Sequence, residues 1–256
     1  KRLIAGELTA PDTWEVALSS GADKREAWQR LLTERKLGAL ALLRNLRNMQ
    51  EAQVREELIV ESIAAMKADR VLPFRFIAAA RHAPQWEEAL EKAMFAWVAG
   101  REKLKGKTVL LVDVSGSMVH RLSRRSEMLR TDAADGLAVL LRETCEQVKV
   151  YSFSDELEMV PPRRGFALRD AIAVSQAHSG TFLGKALGEL SESYDRLIVI
   201  TDEQVNDAVP APKGKGYMIN VAGYRNGVGY RKWTHIDGWS DSVIEYIHEL
   251  EHAELN

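Results

Sequence analysis

Thr108-Val-Leu-Leu-Val-Asp-Val-Ser-Gly-Ser-Met118 decides the fold. Its first part is an unbroken apolar run of strand length, the pattern of a strand buried on both faces. It ends in Asp113-x-Ser115-x-Ser117, which delivers three oxygen-bearing side chains at alternate positions to one loop at the strand's carboxyl end. Hard divalent cations such as Mg²⁺ take oxygen ligands, so this loop is a candidate cation site.

Downstream of Lys107 the pattern alternates. Strands are expected at 108–113, 148–153, 157–160, 197–201 and 217–222, and helices at 128–146, 168–177, 183–193 and 240–252. Apolar strands separated by helices predict an α/β fold with a doubly wound parallel sheet covered on both faces. Sites in such sheets form at the carboxyl ends of strands. Asp113 closes one strand, and Asp202 closes another, Arg196-Leu-Ile-Val-Ile-Thr-Asp202. Between them Gly180-Thr181-Phe-Leu-Gly184 stands directly before a helix.

Upstream, residues 12–103 read as helix after helix. Asp12 or Thr13 caps a first helix through Leu18, Ala22–Arg35 carries Trp28, Leu31 and Leu32 on one face, and Leu37–Met49 is strongly apolar. Glu51–Ala68 keeps a helical period, and Pro73 and Pro84 suit the first turns of two more helices. Six helices with short joints predict an α-helical solenoid of paired helices, which the family resemblance given below would make HEAT-like. The expected division is 1–105 helical and 106–256 α/β.

The bulk numbers exclude several classes. The 256 residues are 46% hydrophobic and 28% charged, ordinary for a globular chain. No apolar run approaches the roughly 18 residues of a membrane span. The opening Lys1-Arg-Leu-Ile-Ala-Gly lacks the long apolar core of a secretory signal, and a start at Lys rather than Met suggests a piece of something longer. A single cysteine, Cys145, precludes an internal disulfide framework and a Cys-rich zinc site; it falls on the apolar side of the 128–146 helix, as a buried small hydrophobe. A cytoplasmic setting is expected. Lys and Arg number 18 against 15 Asp and Glu over 1–105, and 17 against 22 thereafter, so neither half demands nucleic acid.

A strand ending in Asp is also found in haloacid-dehalogenase-type phosphatases, whose aspartate is a nucleophile. That chemistry needs a second acid two residues on, and Ser115 cannot protonate a leaving group at neutral pH. No nucleophile elbow or phosphate-binding loop of the Walker type occurs, and His120 reads as a loop residue. The chain is not expected to be an enzyme.

Asp113, Ser115, Ser117, Thr181 and Asp202 resemble, position by position, the metal-ion-dependent adhesion site of von Willebrand factor A domains, over about 107–253. The resemblance implies Mg²⁺ or Mn²⁺ held directly by Ser115, Ser117 and Thr181, with the aspartates acting through water and one position open to an acidic or phosphate oxygen. The helical half narrows this. Leu42-Leu-Arg-Asn-Leu46 and Val71-Leu-Pro-Phe-Arg-Phe-Ile77 ahead of such a domain, with Trp233-x-His235-Ile-Asp-Gly238-Trp239 after it, resemble the Ro ribonucleoprotein family, which joins a TROVE module (telomerase, Ro and vault) to an A domain.

Membership would imply RNA work: a ring of helical repeats closed by the A domain, binding of small non-coding Y RNAs, capture of misfolded RNA ends, and partnership with an exonuclease or another protein. Six helices are too few for a ring, so the chain is expected to be the C-terminal part of such a protein or a shortened relative. Candidate RNA-binding residues are Arg44, Arg47, Arg75, Arg81 and His82. Arg121, Arg124, Arg125 and Arg130 form a denser basic cluster that either steers an anion toward the metal or keeps a loop solvated. Trp14, Trp28, Trp86 and Trp97 fall at helical spacings and are expected in the core. The alternative function is a metal-dependent protein-interaction module without RNA binding of its own.

Overall fold

The structure is a computed structural model and describes residues 13–19, 21, 23–67, 71, 74–124, 126–223, 226, 228–240 and 242–253. The proposed cap Asp12, the helix-opening Pro73, and Arg125 of the basic cluster lie outside these residues. Two compact units emerge. One comprises Lys1–Val71 and Ala79–Met94, the other Leu72–Ala78 and Phe95–Asn256.

Within the first unit lie α1 (Trp14–Ser19), α2 (Lys24–Thr33), α3 (Ala39–Glu51) and α4 (Glu56–Ala65). α5 (Phe74–His82) leads by a 3₁₀ turn at Pro84–Trp86 into α6 (Glu87–Val98). Asp23 starts α2 by accepting the Glu26 N–H at 2.9 Å, the usual N-cap device. α2 packs on α1 and α4, and α3 packs on α4. Trp28, Leu31, Leu42, Leu46, Met49, Ile59, Ile63, Leu90 and Met94 are buried, so the apolar stripes read from the helical period face inward. Trp28 and Trp86 are core residues. Trp14 and Trp97 are not: Trp14 is half-buried, stacked outside Trp28 with ring centres 6.2 Å apart. Trp97 is also half-buried and carries the Arg101 guanidinium 3.6 Å above its ring.

The second unit holds β1 (Leu104–Asp113), α7 (Arg130–Thr144), β2 (Cys145–Phe153), β3 (Leu157–Met159), α8 (Gly165–Ala173), α9 (Leu183–Glu189), β4 (Arg196–Thr201), β5 (Lys215–Asn220), β6 (Thr234–Asp237) and α10 (Ser242–Ala253). The strands form one sheet in the order β3-β2-β1-β4-β5-β6. All pairings are parallel except β2 with β3. Three residues join β2 to β3, enough for a hairpin and too few for a parallel crossover, so the expected all-parallel sheet becomes mixed. β6 was absent from the sequence reading, because Ile236 is the one strongly apolar residue among its four.

Alternate residues of the central strands explain the unbroken apolar runs. Val109, Leu111, Leu197 and Val199 pack with Leu183, Ala186 and Leu187 of α9. Leu110, Val112, Ile198 and Ile200 are equally buried and point to the other face, where α7 contacts β1, β2 and β4. The first turn of α5 joins this unit: Ile77 Cδ1 occupies space within 2.7 Å of where a side chain on Gly136 would begin, and Phe74 meets Trp239 edge-on at 4.5 Å. Cys145 is buried as expected, but as the first residue of β2 rather than on a helix, and burial pushes its thiol pKa up.

At the opposite end of the sheet from Asp113, Arg196 is buried in β4 and bonds both carboxylate oxygens of Glu251 on α10, with Thr108 Oγ1 2.8 Å away. Burial opposes ionisation of Glu251, but the Arg196 fork more than offsets it and holds the carboxyl below its usual range. Glu251→Ala leaves Arg196 charged and unpaired in the interior. Urea denaturation at pH 7 is expected to show a loss of about 3–5 kcal/mol. The Glu251 contribution is present at neutral pH and disappears as the pH falls through the lowered pKa.

Candidate metal centre at the carboxyl edge of the sheet

The pairing of β1 with both β2 and β4 brings three chain segments to one edge. Asp113 ends β1 with 0% exposure and is locked from both sides: Oδ1 accepts the Ser115 N–H at 2.9 Å, and Oδ2 accepts the Thr201 hydroxyl at 2.6 Å. The turn after it places the Ser115 and Ser117 hydroxyls 3.2 Å apart. Ser115 is buried and Ser117 is partly open, so the pair looks outward through Ser117.

Thr181 is held beside this turn by its backbone. Gly116 N–H donates to Ser179 O at 3.0 Å, Phe182 N–H to Ser154 O at 3.0 Å, and Asn206 N–H to Thr181 O at 2.8 Å. The tight entry into α9 explains Gly184: a β-carbon there would stand 2.2 Å from Ala208 O. Asp207 caps the same turn by accepting the N–H groups of Gly184 and Lys185 at 2.9 and 2.7 Å.

Asp202 follows β4, also with 0% exposure. Its Oδ1 accepts the Gln204 N–H at 3.1 Å, and its Oδ2 accepts Gln204 Nε2 at 3.0 Å and Arg130 Nη1 at 2.6 Å. Asp113 and Asp202 are close enough to repel. Burial, the larger effect, together with that repulsion raises the Asp113 pKa to about 6, against the hydrogen bonds from Ser115 and Thr201.

An octahedral Mg²⁺ with oxygens at about 2.1 Å sets neighbouring ligands about 3 Å apart. The 3.2 Å hydroxyl pair, flanked by two buried carboxylates, therefore fits one edge of such a shell. Among the described residues no group of three or more His, Cys, Asp or Glu side chains is arranged to hold a metal, so a cation here would have to rest on a hydroxyl-rich set.

Three neighbours were given no role by the sequence. Thr201 supports Asp113 from β4. His178 places Nδ1 2.5 Å from Val114 O and pins the turn. Glu203 is buried with φ +59°, bonds His235 Nδ1 at 2.9 Å, and has its pKa raised by burial against the opposing effect of His235. Arg130 turns inward rather than standing in the surface cluster, because the first turn of α7 faces the strand ends; Arg121 and Arg124 are exposed. His120 is an exposed loop residue with Nδ1 2.9 Å from Ser117 O.

The basic candidates for RNA are exposed. Arg47 is paired with Glu51 at 3.1 Å. Arg44, Lys67, Asn45 and Trp14 line an open cavity of about 800 Å³ in the first unit. Arg75, Arg81 and His82 lie along α5, where Arg75 sits 4.7 Å from the centre of the Phe74 ring.

A sequence profile described as the TROVE domain matches residues 4–179. Residues of the chain are 34% identical over a 77-residue stretch to telomerase protein component 1 of Mus musculus, covering 28% of this chain and 3% of that protein. The crystal structure of the Ro (RSR) protein of Deinococcus radiodurans superposes with a TM-score of 0.58 at 17% identity, over 93% of this chain and 63% of that one. The second likeness is one of fold. No helix among the described residues is long and apolar enough to cross a membrane.

An ionised Asp113 is unfavourable without a cation. Because its folded pKa is raised from 3.8 to about 6, the stability it lends is present below pH 4 and is lost as the pH rises through about 6. Asp113→Asn is therefore expected to be more stable than the parent at pH 8 in EDTA, by about 1–3 kcal/mol. The difference should shrink toward pH 4. Urea titrations at the two pH values measure it.

Proposed function

Since the chain belongs to the TROVE family, shown by the match over residues 4–179, we propose that it is a non-catalytic RNA-binding protein of the Ro type. Family membership is the observation that carries this reading. The chain's own surface supports it with Arg44 and Lys67, whose side chains border an open cavity beside Trp14. Cations beside a half-buried indole suit a single-stranded RNA, with phosphates neutralised by the basic groups and a base stacked on the open part of the ring. The RNA is a small non-coding, Y-like or misfolded species; Arg47, Arg81 and His82 are further contacts on the first unit, and Arg75 is one on the second. The helices of the first unit are HEAT-like repeats in this reading, and the setting is cytoplasmic.

The sheet unit is proposed as a von Willebrand factor A domain. Mg²⁺ or Mn²⁺ would be held by the hydroxyls of Ser115, Ser117 and Thr181, with Asp113 and Asp202 supporting it through water. Bound there, the cation supplies Lewis acidity toward an anionic oxygen of a ligand. The outward-facing Ser117 favours a companion reading, in which an acidic group of an exonuclease or other protein completes the shell.

Fluorescence anisotropy with a labelled single-stranded RNA tests the first reading. Binding should weaken steeply between 50 and 300 mM salt. Arg44→Ala should lower affinity and flatten the slope of log K against log salt by about 0.7. No binding at low salt would place RNA recognition outside this chain. The companion reading expects partner capture to disappear with EDTA and in Asp113→Ala; capture that survives both sinks it.

A further inference from the structure

Arg130 carries the inference. Its side chain is 8% exposed, and Nη1 lies 2.6 Å from Asp202 Oδ2 and 3.1 Å from Ser117 O. A guanidinium thus sits between the two loops that the proposed metal would join. Its position is built in by the backbone: Arg130 N–H donates to His120 O at 2.9 Å, Arg121 bridges Leu129, and Asp132 Oδ2 accepts the Leu129 N–H at 2.6 Å.

We propose that Arg130 is a resident counter-charge that competes with the divalent cation for Asp202 and so sets the metal affinity of the site. This rests on the metal reading of Asp113, Ser115, Ser117, Thr181 and Asp202. Two considerations support it. An ionised carboxylate offers about four lone-pair positions. Asp202 spends three of them on Gln204 N, Gln204 Nε2 and Arg130. A metal-bound water must take the last position or displace the guanidinium.

The second consideration is charge. Two carboxylates alone would neutralise a divalent cation. With Arg130 in place the loaded site keeps an excess positive charge. In a buried, low-dielectric setting, nearby like charges oppose each other strongly. The metal is held more weakly as a result, and the loaded centre is left hungrier for an anionic ligand.

The test is Mn²⁺ binding to the full chain, followed by the EPR signal of free Mn²⁺, in the parent, R130M, R130Q, R130K and D113A. Melting temperatures with and without Mn²⁺ provide a second readout. R130M and R130Q should bind Mn²⁺ at least ten-fold more tightly and gain a larger Mn²⁺-induced melting shift. R130K, which keeps the charge, should stay within about three-fold of the parent, about half of a tenfold step in free energy. D113A should lose binding. R130Q keeps a polar side chain without the charge, so it reports even if R130M does not fold. Equal or weaker binding by folded R130Q overturns the proposal and makes Arg130 a support for Asp202. If neither the folded parent nor folded R130Q binds Mn²⁺, the metal reading itself fails.

Discussion

Parallel pairing of β1 with β4 forces two carboxylates to the same end of a buried sheet. Asp113 and Asp202 both stand where water does not reach. Ionised carboxylates in such a place need compensation from hydrogen bonds or positive charge. Much of the local architecture supplies it. Thr201 and the Ser115 backbone serve Asp113, while Gln204 and Arg130 serve Asp202. The turn geometry at 113–117 and the inward bend of Arg130 both belong to this one requirement.

The same sheet handles its other end differently. Arg196 and Glu251 close the amino-terminal side with a buried pair further tied to Thr108 and Tyr217. Neutralisation there is complete, and α10 is fastened to the sheet. At the carboxyl edge the buried Ser115 hydroxyl meets the half-buried Ser117 hydroxyl. One end of the sheet is therefore sealed by an ion pair and the other by hydrogen bonds to two carboxylates, although both are built from buried charge. The distinction lies in which donors are left with spare capacity.

How much of this could be read from residues alone depends on the range of the interaction. The β1 run and the Asp113-x-Ser115-x-Ser117 turn are local patterns, and they appear where expected. Asp202 was legible as the last residue of an apolar strand. Thr201, His178 and Gln204 were not, because each acquires its role only when strands or loops distant in the chain become neighbours. Arg130 misled for a related reason. An arginine opening a helix beside other arginines reads as surface, and only the docking of α7 turns it inward. Trp14 and Trp97 show the limit of helical spacing: it identifies a face but not the depth at which that face is covered. β6 is carried by register with β5 rather than by its own composition.

One junction has a mechanical meaning. α7 ends at Thr144 and β2 begins at Cys145, with no connecting residue, whereas such joints usually contain several. The helix that presents Arg130 is thus spliced rigidly onto a strand hydrogen-bonded along its length to β1. α7 cannot slide along its axis without tearing that ladder. The sheet is a fixed anvil for Asp113 and Asp202, and a shift of Arg130 against Asp202 falls to its own side chain.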